Sequence, residues 1–345
     1  MPIPALEVED QTNAVSLIIA LAEYAATFAI KSGSAIEAAR HCLIDALGGA
    51  VAALRDPECA ALIVALVPGA LMPGGARVPG TSLELDPAQA AFCTALMLCR
   101  PAEDSRWRAL RSGRAVDSFA AILAVADYQG RKAIMEGKSP PKVRDVLAAM
   151  VKTLEIQGVL APGGADDRVG AATAIRLARM AATAMASAQL GGNLGQIVTA
   201  LSYACTDGEM LVHDTDDRHE VARRDWARAD AISRGVRYAC QATAAGRPSY
   251  LTSVDLEAVD LSGKLLGARP GNAVKVFGTA IIDRLAAERQ PQEIVHLTAK
   301  FRAAVDQYFP PRQAERIKAL FATPERLDDL PINELVAALV TNGAR

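Results

Sequence analysis

Long runs of alanine and aliphatic residues are the feature that most restricts the fold of this chain. In the segment 169–190, VGAATAIRLARMAATAMASAQL, apolar side chains recur at the three- and four-residue spacing of a helix. Aromatic residues make up only 4% of the chain although 51% of it is hydrophobic, so small side chains must fill the core. The sequence therefore predicts an all-α fold built as one large domain.

The same periodicity predicts at least seven helices before residue 245. Helical runs occupy the segments 16–28, 34–54, 88–99, 118–135, 143–160, 169–190, 194–205 and 227–244. Prolines and paired glycines between residues 57 and 87 predict short helical pieces and one exposed turn. After Gly246, a high density of Gly, Pro and Ser predicts irregular structure or a short strand, and the segment 311–340 predicts two more short helices.

The charge and cysteine content exclude several classes of protein. The 37 basic and 39 acidic residues are interspersed, so no basic surface is available for nucleic acid. The six cysteines form no CxxC pair and lie mostly in apolar runs, which indicates reduced thiols. No apolar run reaches the roughly 18 residues of a membrane span, and the first residues lack the pattern of a signal peptide. We therefore expect a cytoplasmic protein that contacts neither a membrane nor nucleic acid.

The most unusual local cluster is HDTDDRHEVARRDW, residues 213–226, which holds two of the four histidines. His213 and His219, together with the acidic residues between them, are donors that a zinc, manganese or iron site would accept. Their spacing does not place both imidazoles on one helical face, unlike a pair four residues apart. A solvated loop and a metal-free contact to a substrate remain as alternatives.

Arg223 and Arg224 come just before a helix that we expect to begin near Asp225 or Trp226. Two guanidinium groups at such a position can hold a carboxylate through paired hydrogen bonds. The competing interpretation is a pair of exposed arginines whose ion pairs contribute roughly 0–1 kcal/mol.

Sequence motifs with a specific chemistry are absent. The chain contains no GxGxxG after a strand, no Walker loop, no HExxH and no GxSxG, and its PGG segments at 73–75 and 162–164 are weak phosphate-binding candidates. The segment 103–118, EDSRWRALRSGRAVDS, interrupts the apolar helices with four arginines, three acidic residues and a tryptophan. It is either an active-site loop or a surface excursion, and it holds no histidine for acid–base work near neutral pH.

A string of segments resembles the MmgE/PrpD family, in order and over most of residues 15–340. The segments are CLIDALGGAVAAL, VPGALMPGGARVPGTSLELDPAQAAF, AAILAVADYQGRKAI, LAAMVKTLEIQG, ARRDWARADAISRGVR, YFPPRQAERI and LPINELV. The resemblance implies a helical domain formed by the N-terminal part and the end of the chain, with a smaller α+β lid domain inserted between them. It also implies a homodimer that acts on small polycarboxylates by cofactor-free dehydration, decarboxylation or epimerisation, without a metal.

The resemblance predicts a division of the chain in which most of the lid is missing. Residues 1–250 and 275–345 would together form the helical domain, and 251–274 would be a short remnant of the lid. The lid normally closes one side of the substrate cleft and supplies basic ligands. Without the lid, water would reach the substrate cleft, and part of the set of basic residues that bind the carboxylate groups of the substrate would be missing.

Individual residues become candidates for the site once the resemblance is considered. The resemblance makes Asp104 and Asp117 catalytic candidates, whereas His213 and His219 inherit no role from it and would have to act as a new acid–base pair. The substrate-binding candidates are Arg114, Arg168, Arg223 and Arg224, which could bind carboxylate groups.

Three family histidines are replaced in this chain. The His-Pro step of the family reads Arg114-Ala115, and two further histidine positions read Leu154 and Thr173. Arginine cannot take over acid–base work, because the very high pKa of its guanidinium group keeps it protonated.

Three hypotheses follow from these departures. The first is a diverged protein whose hydro-lyase activity is lost or severely weakened, and which binds a polycarboxylate or pairs with an active homologue. The second is an active lyase or isomerase on a different small polycarboxylate, with His213 and His219 as a new acid–base pair. The third is a metal-dependent hydrolase.

Overall fold

A computed structural model describes residues 6–8, 14–99, 115–161, 169–208, 218–244 and 275–341. Most of these residues are helical, and strands are limited to two antiparallel pairs of two or three residues per strand. The predicted all-α fold is therefore confirmed. No helix in the described part of the chain is long and apolar enough to cross a membrane.

Nine helices precede residue 245 in the described ranges. They are α1 (Ala14–Thr27), α2 (Gly33–Ala53), α3 (Pro57–Leu62), α4 (Pro87–Cys99), α5 (Phe119–Met135), α6 (Val143–Leu160), α7 (Ala171–Gln189), α8 (Leu194–Thr206) and α9 (Arg218–Ala244). A single 3₁₀ turn, Ala115–Ser118, leads directly into α5. The proline-rich region holds α3 and a small hairpin of β2 (Ala76–Arg77) and β3 (Glu84–Leu85).

The C-terminal part begins with a strand and continues with five helices. They are β4 (Lys275–Phe277), α10 (Ala280–Ala287), α11 (Pro291–Tyr308), α12 (Pro311–Leu320), α13 (Pro324–Asp329) and α14 (Ile332–Ala338). The prediction of two short helices in the segment 311–340 is wrong, because prolines start a new helix at residues 311 and 324 and another helix follows Pro331. Proline fits the first turn of a helix because that turn has no internal partner for its N–H group.

Small residues allow the helices to approach each other closely, as the composition predicted. A Cβ atom added to Gly235 of α9 would lie 2.9 Å from Thr183 Oγ1 of α7. A Cβ added to Gly48 of α2 would lie 3.1 Å from the backbone of Phe301 on α11. At such separations a larger side chain would force the helices apart.

The C-terminal part packs on the N-terminal helices. Strand β4 pairs antiparallel with β1 (Leu6–Val8), so that Leu6 lies opposite Phe277, and α10 and α11 pack against α2. One hydrophobic core contains buried residues from Leu17 to Leu339. The segment 251–274 lies outside the described residues, so its assignment as a lid remnant stays a prediction.

Helix α9 begins earlier than the sequence indicated. Its first residue is Arg218, whereas we expected a start near Asp225 or Trp226. Arginine and glutamate are good helix formers, so a charged first turn can be helical without any apolar periodicity. Arg223 and Arg224 therefore lie inside the helix rather than ahead of it, and His219 belongs to its first turn.

Candidate ligand-binding site

Asp117 is the one predicted catalytic aspartate among the described residues. It lies in the 3₁₀ turn ahead of α5, and only 2% of the residue is exposed. Helix α9 carries three further candidates from the sequence, His219, Arg223 and Arg224. The remaining candidates lie outside the described residues, so their roles stay predictions; they are Asp104, Arg114, Arg168 and His213.

A buried ion pair joins this turn to α9. Arg228 Nη1 donates a hydrogen bond of 3.2 Å to Asp117 Oδ2. The exposed fractions of the two side chains are 11% for Arg228 and 3% for Asp117. Because the pair is buried, we expect it to be sensitive to the loss of either partner, since breaking a buried pair typically costs about 3–5 kcal/mol. Arg228 was not a candidate from the sequence, because nothing in the spacing distinguishes it from the other arginines of the segment.

The same face of α9 carries further charged groups. Arg224 precedes Arg228 by four residues and Asp225 precedes it by three, so all three side chains share one side of the helix. Asp225 is 5% exposed and Arg228 is 9% exposed, whereas Arg224 is only partly buried. Charge on this face thus extends from the surface at Arg224 to the buried carboxylate of Asp117.

The opposite side of the turn is fixed by α6. Gln157 Nε2 donates a hydrogen bond of 2.9 Å to Ser118 Oγ, and both residues are buried. Gln157 belongs to the Glu-Ile-Gln-Gly segment that carried part of the resemblance, which is the signal that could have identified it. The turn that presents Asp117 is therefore held by a neutral hydrogen bond on one side and an ion pair on the other.

Two positions where the resemblance predicts histidine contain no titratable group. Leu154 is fully buried in the hydrophobic core. Thr173 is partly buried, and its Oγ1 accepts a hydrogen bond of 3.2 Å from Arg176 Nη2. Neither side chain can exchange a proton near neutral pH.

His219 and Arg223 of α9 are both exposed. No group of three or more His, Cys, Asp and Glu side chains in the described ranges is arranged to hold a metal ion. The metal alternative depends equally on His213, which lies outside those ranges, and so it stays untested.

A second charged cluster links α7, α8 and α9. Arg179 Nη1 lies 2.8 Å from Asp207 Oδ2, and Arg234 Nη1 lies 2.7 Å from Asp207 Oδ1. Burial lowers the pKa of Arg179, and Asp207 opposes that effect by raising it. Because Asp207 follows the last residue of α8, we interpret the cluster as a structural connection between three helices.

Two buried side chains of α6 with shifted pKa values bind backbone atoms elsewhere in the fold. Lys152 Nζ donates to Ala25 O at 2.8 Å, and burial lowers the pKa of Lys152 to about 8. Glu155 Oε1 accepts from Ile282 N at 2.7 Å, and burial raises the pKa of Glu155 to about 7. Both side chains satisfy backbone groups of neighbouring elements, so we interpret them as structural.

Comparison with known proteins identifies relatives of this chain. The model of the MmgE/PrpD N-terminal domain matches residues 19–249. The 2-methylcitrate dehydratase of Cupriavidus necator is 36% identical over 271 residues, which are 78% of this chain and 55% of the relative.

Two further relatives carry the same name. The 2-methylcitrate dehydratase of Salmonella typhimurium is 38% identical over 249 residues, 72% of this chain and 51% of the relative. The mitochondrial 2-methylcitrate dehydratase of Yarrowia lipolytica is 31% identical over 331 residues, 95% of this chain and 62% of the relative. The chain thus spans about half the length of the curated relatives it matches.

Proposed function

This chain belongs to the MmgE/PrpD family, and from that premise we propose that it binds a small polycarboxylate while its hydro-lyase activity is lost or severely weakened. The ligand class is that of 2-methylcitrate, the compound in the names of the relatives. The binding groups are the arginines of α9, with Arg114 and Arg168 as further candidates.

The ion pair of Asp117 with Arg228 is the observation that carries this proposal. A base that removes a proton next to a carboxylate must reach that proton with its own oxygen or nitrogen. Asp117 Oδ2 instead accepts a hydrogen bond from Arg228. Leu154 and Thr173 support the same conclusion, because acid–base groups are absent where the resemblance expects them.

An active lyase or isomerase on a different polycarboxylate is the second candidate function. Asp117 favours it, because this carboxylate is buried beside arginines rather than exposed on the surface. This function requires more than release of Asp117 from Arg228, because the proton to be removed must also lie within reach of a carboxylate oxygen of Asp117. His219, although exposed, remains the available acid–base partner on α9.

Two measurements on the same purified chain distinguish these functions. Binding of citrate and 2-methylcitrate is followed by isothermal titration calorimetry, and water loss or isomerisation is followed by chromatography of the products. We expect saturable binding without turnover. Turnover above about 1 s⁻¹, which lies in the usual enzyme range, would contradict the loss of activity. Absence of binding to either compound would contradict the proposal as a whole.

We also propose that the chain forms a homodimer in the cytoplasm, as the resemblance predicts. Large apolar side chains are exposed along the segment 62–72 and at the end of α5, namely Leu62, Val64, Leu66, Val67, Leu71, Met72, Ile134 and Met135. Exposed apolar surface of this extent is typical of association sites. Light scattering at micromolar concentration should give twice the mass of the chain. A monomer that becomes a larger species only with an active homologue would support the hetero-association instead.

A further inference from the structure

Arg224 and Arg228 form a graded pair of guanidinium groups on one face of α9. Arg224 is partly buried, whereas Arg228 is 9% exposed and its guanidinium contacts Asp117. Their four-residue spacing brings their Cβ atoms to roughly 5–6 Å of each other on one face of the helix. Two guanidinium groups on one helical face suit a ligand with two or more carboxylate groups.

We infer that Arg228 is an inner carboxylate ligand of this site, and that Asp117 occupies its guanidinium until a carboxylate of the ligand displaces it. The inference rests on the proposed function, because it concerns the same polycarboxylate site. It adds a specificity-determining residue, and it identifies the group that competes with the ligand.

The chemistry of the pair supports an exchange of one carboxylate for another. A guanidinium group binds carboxylates through a fork of N–H donors, and the oxygen of Asp117 and that of a ligand are equivalent acceptors. Replacing Asp117 by a ligand carboxylate leaves the buried guanidinium neutralised throughout. A ligand without a carboxylate offers no such replacement and would have to break a buried ion pair.

The exchange also sets the affinity. When the ligand takes Arg228, the carboxylate of Asp117 loses that partner within a buried turn, and this cost opposes binding. Asp117 is held in place meanwhile, because α6 anchors the adjacent Ser118 through Gln157. Asp117 therefore stays in place and competes with the ligand carboxylate for the guanidinium group of Arg228.

Substitution of each partner gives opposite results if this inference is correct. D117N keeps the size of the side chain but removes its charge, and we expect it to bind citrate at least about fivefold more tightly than the wild type. R228M removes the guanidinium and is expected to weaken citrate binding at least about tenfold, and R228K should recover part of the loss. A merely structural pair would not produce tighter binding in D117N.

A matched pair on the same helix serves as the control. Arg234 of α9 forms a similar contact with Asp207, and we expect D207N and R234M to lower stability while leaving citrate affinity within about twofold of the wild type. Circular dichroism verifies the fold of every variant. If R228M does not fold, D117N and R228K still decide the question.

The results separate this inference from the proposed function. If the wild type does not bind citrate or 2-methylcitrate, both are overturned. If the wild type binds but D117N is no tighter and R228K is no weaker, only the inference on Arg228 is overturned. Tighter binding by D207N as well would also overturn it, because a general relief of negative charge would then explain the effect.

Discussion

Glu155 of α6 accepts a hydrogen bond of 2.7 Å from the backbone amide of Ile282, in the first turn of α10. The carboxylate thus caps a helix from another part of the chain, at the point where the C-terminal segment packs on the core. Only 1% of Glu155 is exposed, and burial raises its pKa to about 7. An N-terminal helix turn favours a negative charge, and burial opposes it.

This pKa predicts a pH dependence of stability. The folded protein binds an additional proton between the pKa of the unfolded chain, about 4.3, and the folded value of about 7. The contribution of Glu155 to the free energy of unfolding is therefore complete below about pH 4.3 and is lost as pH rises through about 7. In E155Q, whose amide oxygen can still accept from Ile282, the loss should be absent.

Urea unfolding at pH 4.5, 6 and 7.5 measures this effect. The stability of the wild type relative to E155Q should fall by about 2–3 kcal/mol over that range. E325Q, at an exposed glutamate of α13, is the control and should follow the wild type. Parallel pH profiles of the wild type and E155Q would show that the carboxylate is not protonated in the folded protein.

Asp207 should be among the most sensitive polar residues of the chain. D207A leaves the guanidinium groups of Arg179 and Arg234 without their shared carboxylate, and the side chain of Arg179 is only 3% exposed. We expect a loss of about 3–5 kcal/mol in urea unfolding, the typical cost of breaking a buried pair.

An exposed ion pair provides the comparison for D207A. Asp306 lies 2.6 Å from Lys318 Nζ, but half of its side chain is exposed. D306A should cost less than about 1 kcal/mol, because surface pairs contribute little. Equal losses in the two variants would contradict the interpretation of Asp207 as a connection between three helices.

Substitution by alanine should have opposite effects on stability at two glycines. Gly235 lies where α7 and α9 approach each other closely, whereas Gly49 of α2 faces open space. In G235A, the new Cβ would lie 2.9 Å from Thr183 Oγ1 and 3.2 Å from Arg179 O, so we expect a loss of about 1–3 kcal/mol. In G49A of α2, the new Cβ meets nothing within 4 Å, and the better helix propensity of alanine should stabilise the protein by roughly 0.5–1 kcal/mol.

Thermal unfolding of both glycine variants checks this prediction. Melting temperatures should move in opposite directions, downward for G235A and upward for G49A. If G235A were neutral, α7 and α9 would have room to separate, and the tight packing of small residues would not be a determinant of stability.

The C-terminal helices should contribute to global stability rather than form a detachable appendage. Phe301 of α11 is 2% exposed and packs against Gly48 of α2. F301A should cost about 3–5 kcal/mol through lost burial and the cavity left behind. V295A on the same helix removes a side chain that is 70% exposed and should be nearly neutral.

Denaturant unfolding followed by two probes distinguishes the possibilities for F301A. A single transition shifted to lower denaturant would place α11 in the same cooperative unit as α2. A separate early transition of the C-terminal helices would contradict this expectation.

Local patterns in the sequence were sufficient to predict much of the fold. Apolar periodicity identified the segments of α5, α6 and α7 almost to the residue, because each of these helices buries a broad apolar face. It failed at the start of α9, where the first turn is charged and no periodicity exists to be detected. It also predicted one helix too few in the segment 311–340, because prolines rather than hydrophobicity divide that segment.

The candidate site was predictable only in part. Asp117, Arg223 and Arg224 followed from the resemblance of short segments to the family. Arg228 and Gln157 did not, because their importance lies in contacts with residues that are distant in the chain, Asp117 and Ser118. A sequence reveals which side chains can ionise, but it does not reveal which of them are buried together.

The sequence by itself determined that the chain is helical, that its helices pack through small residues, and that it belongs to the MmgE/PrpD family. These properties depend on composition, residue spacing and the order of segments, all of which are contained in the linear sequence. Only the tertiary structure decided that Arg228 contacts Asp117 and that Glu155 caps α10. Both contacts depend on burial and on distances of about 3 Å between helices, which are fixed when the whole core packs.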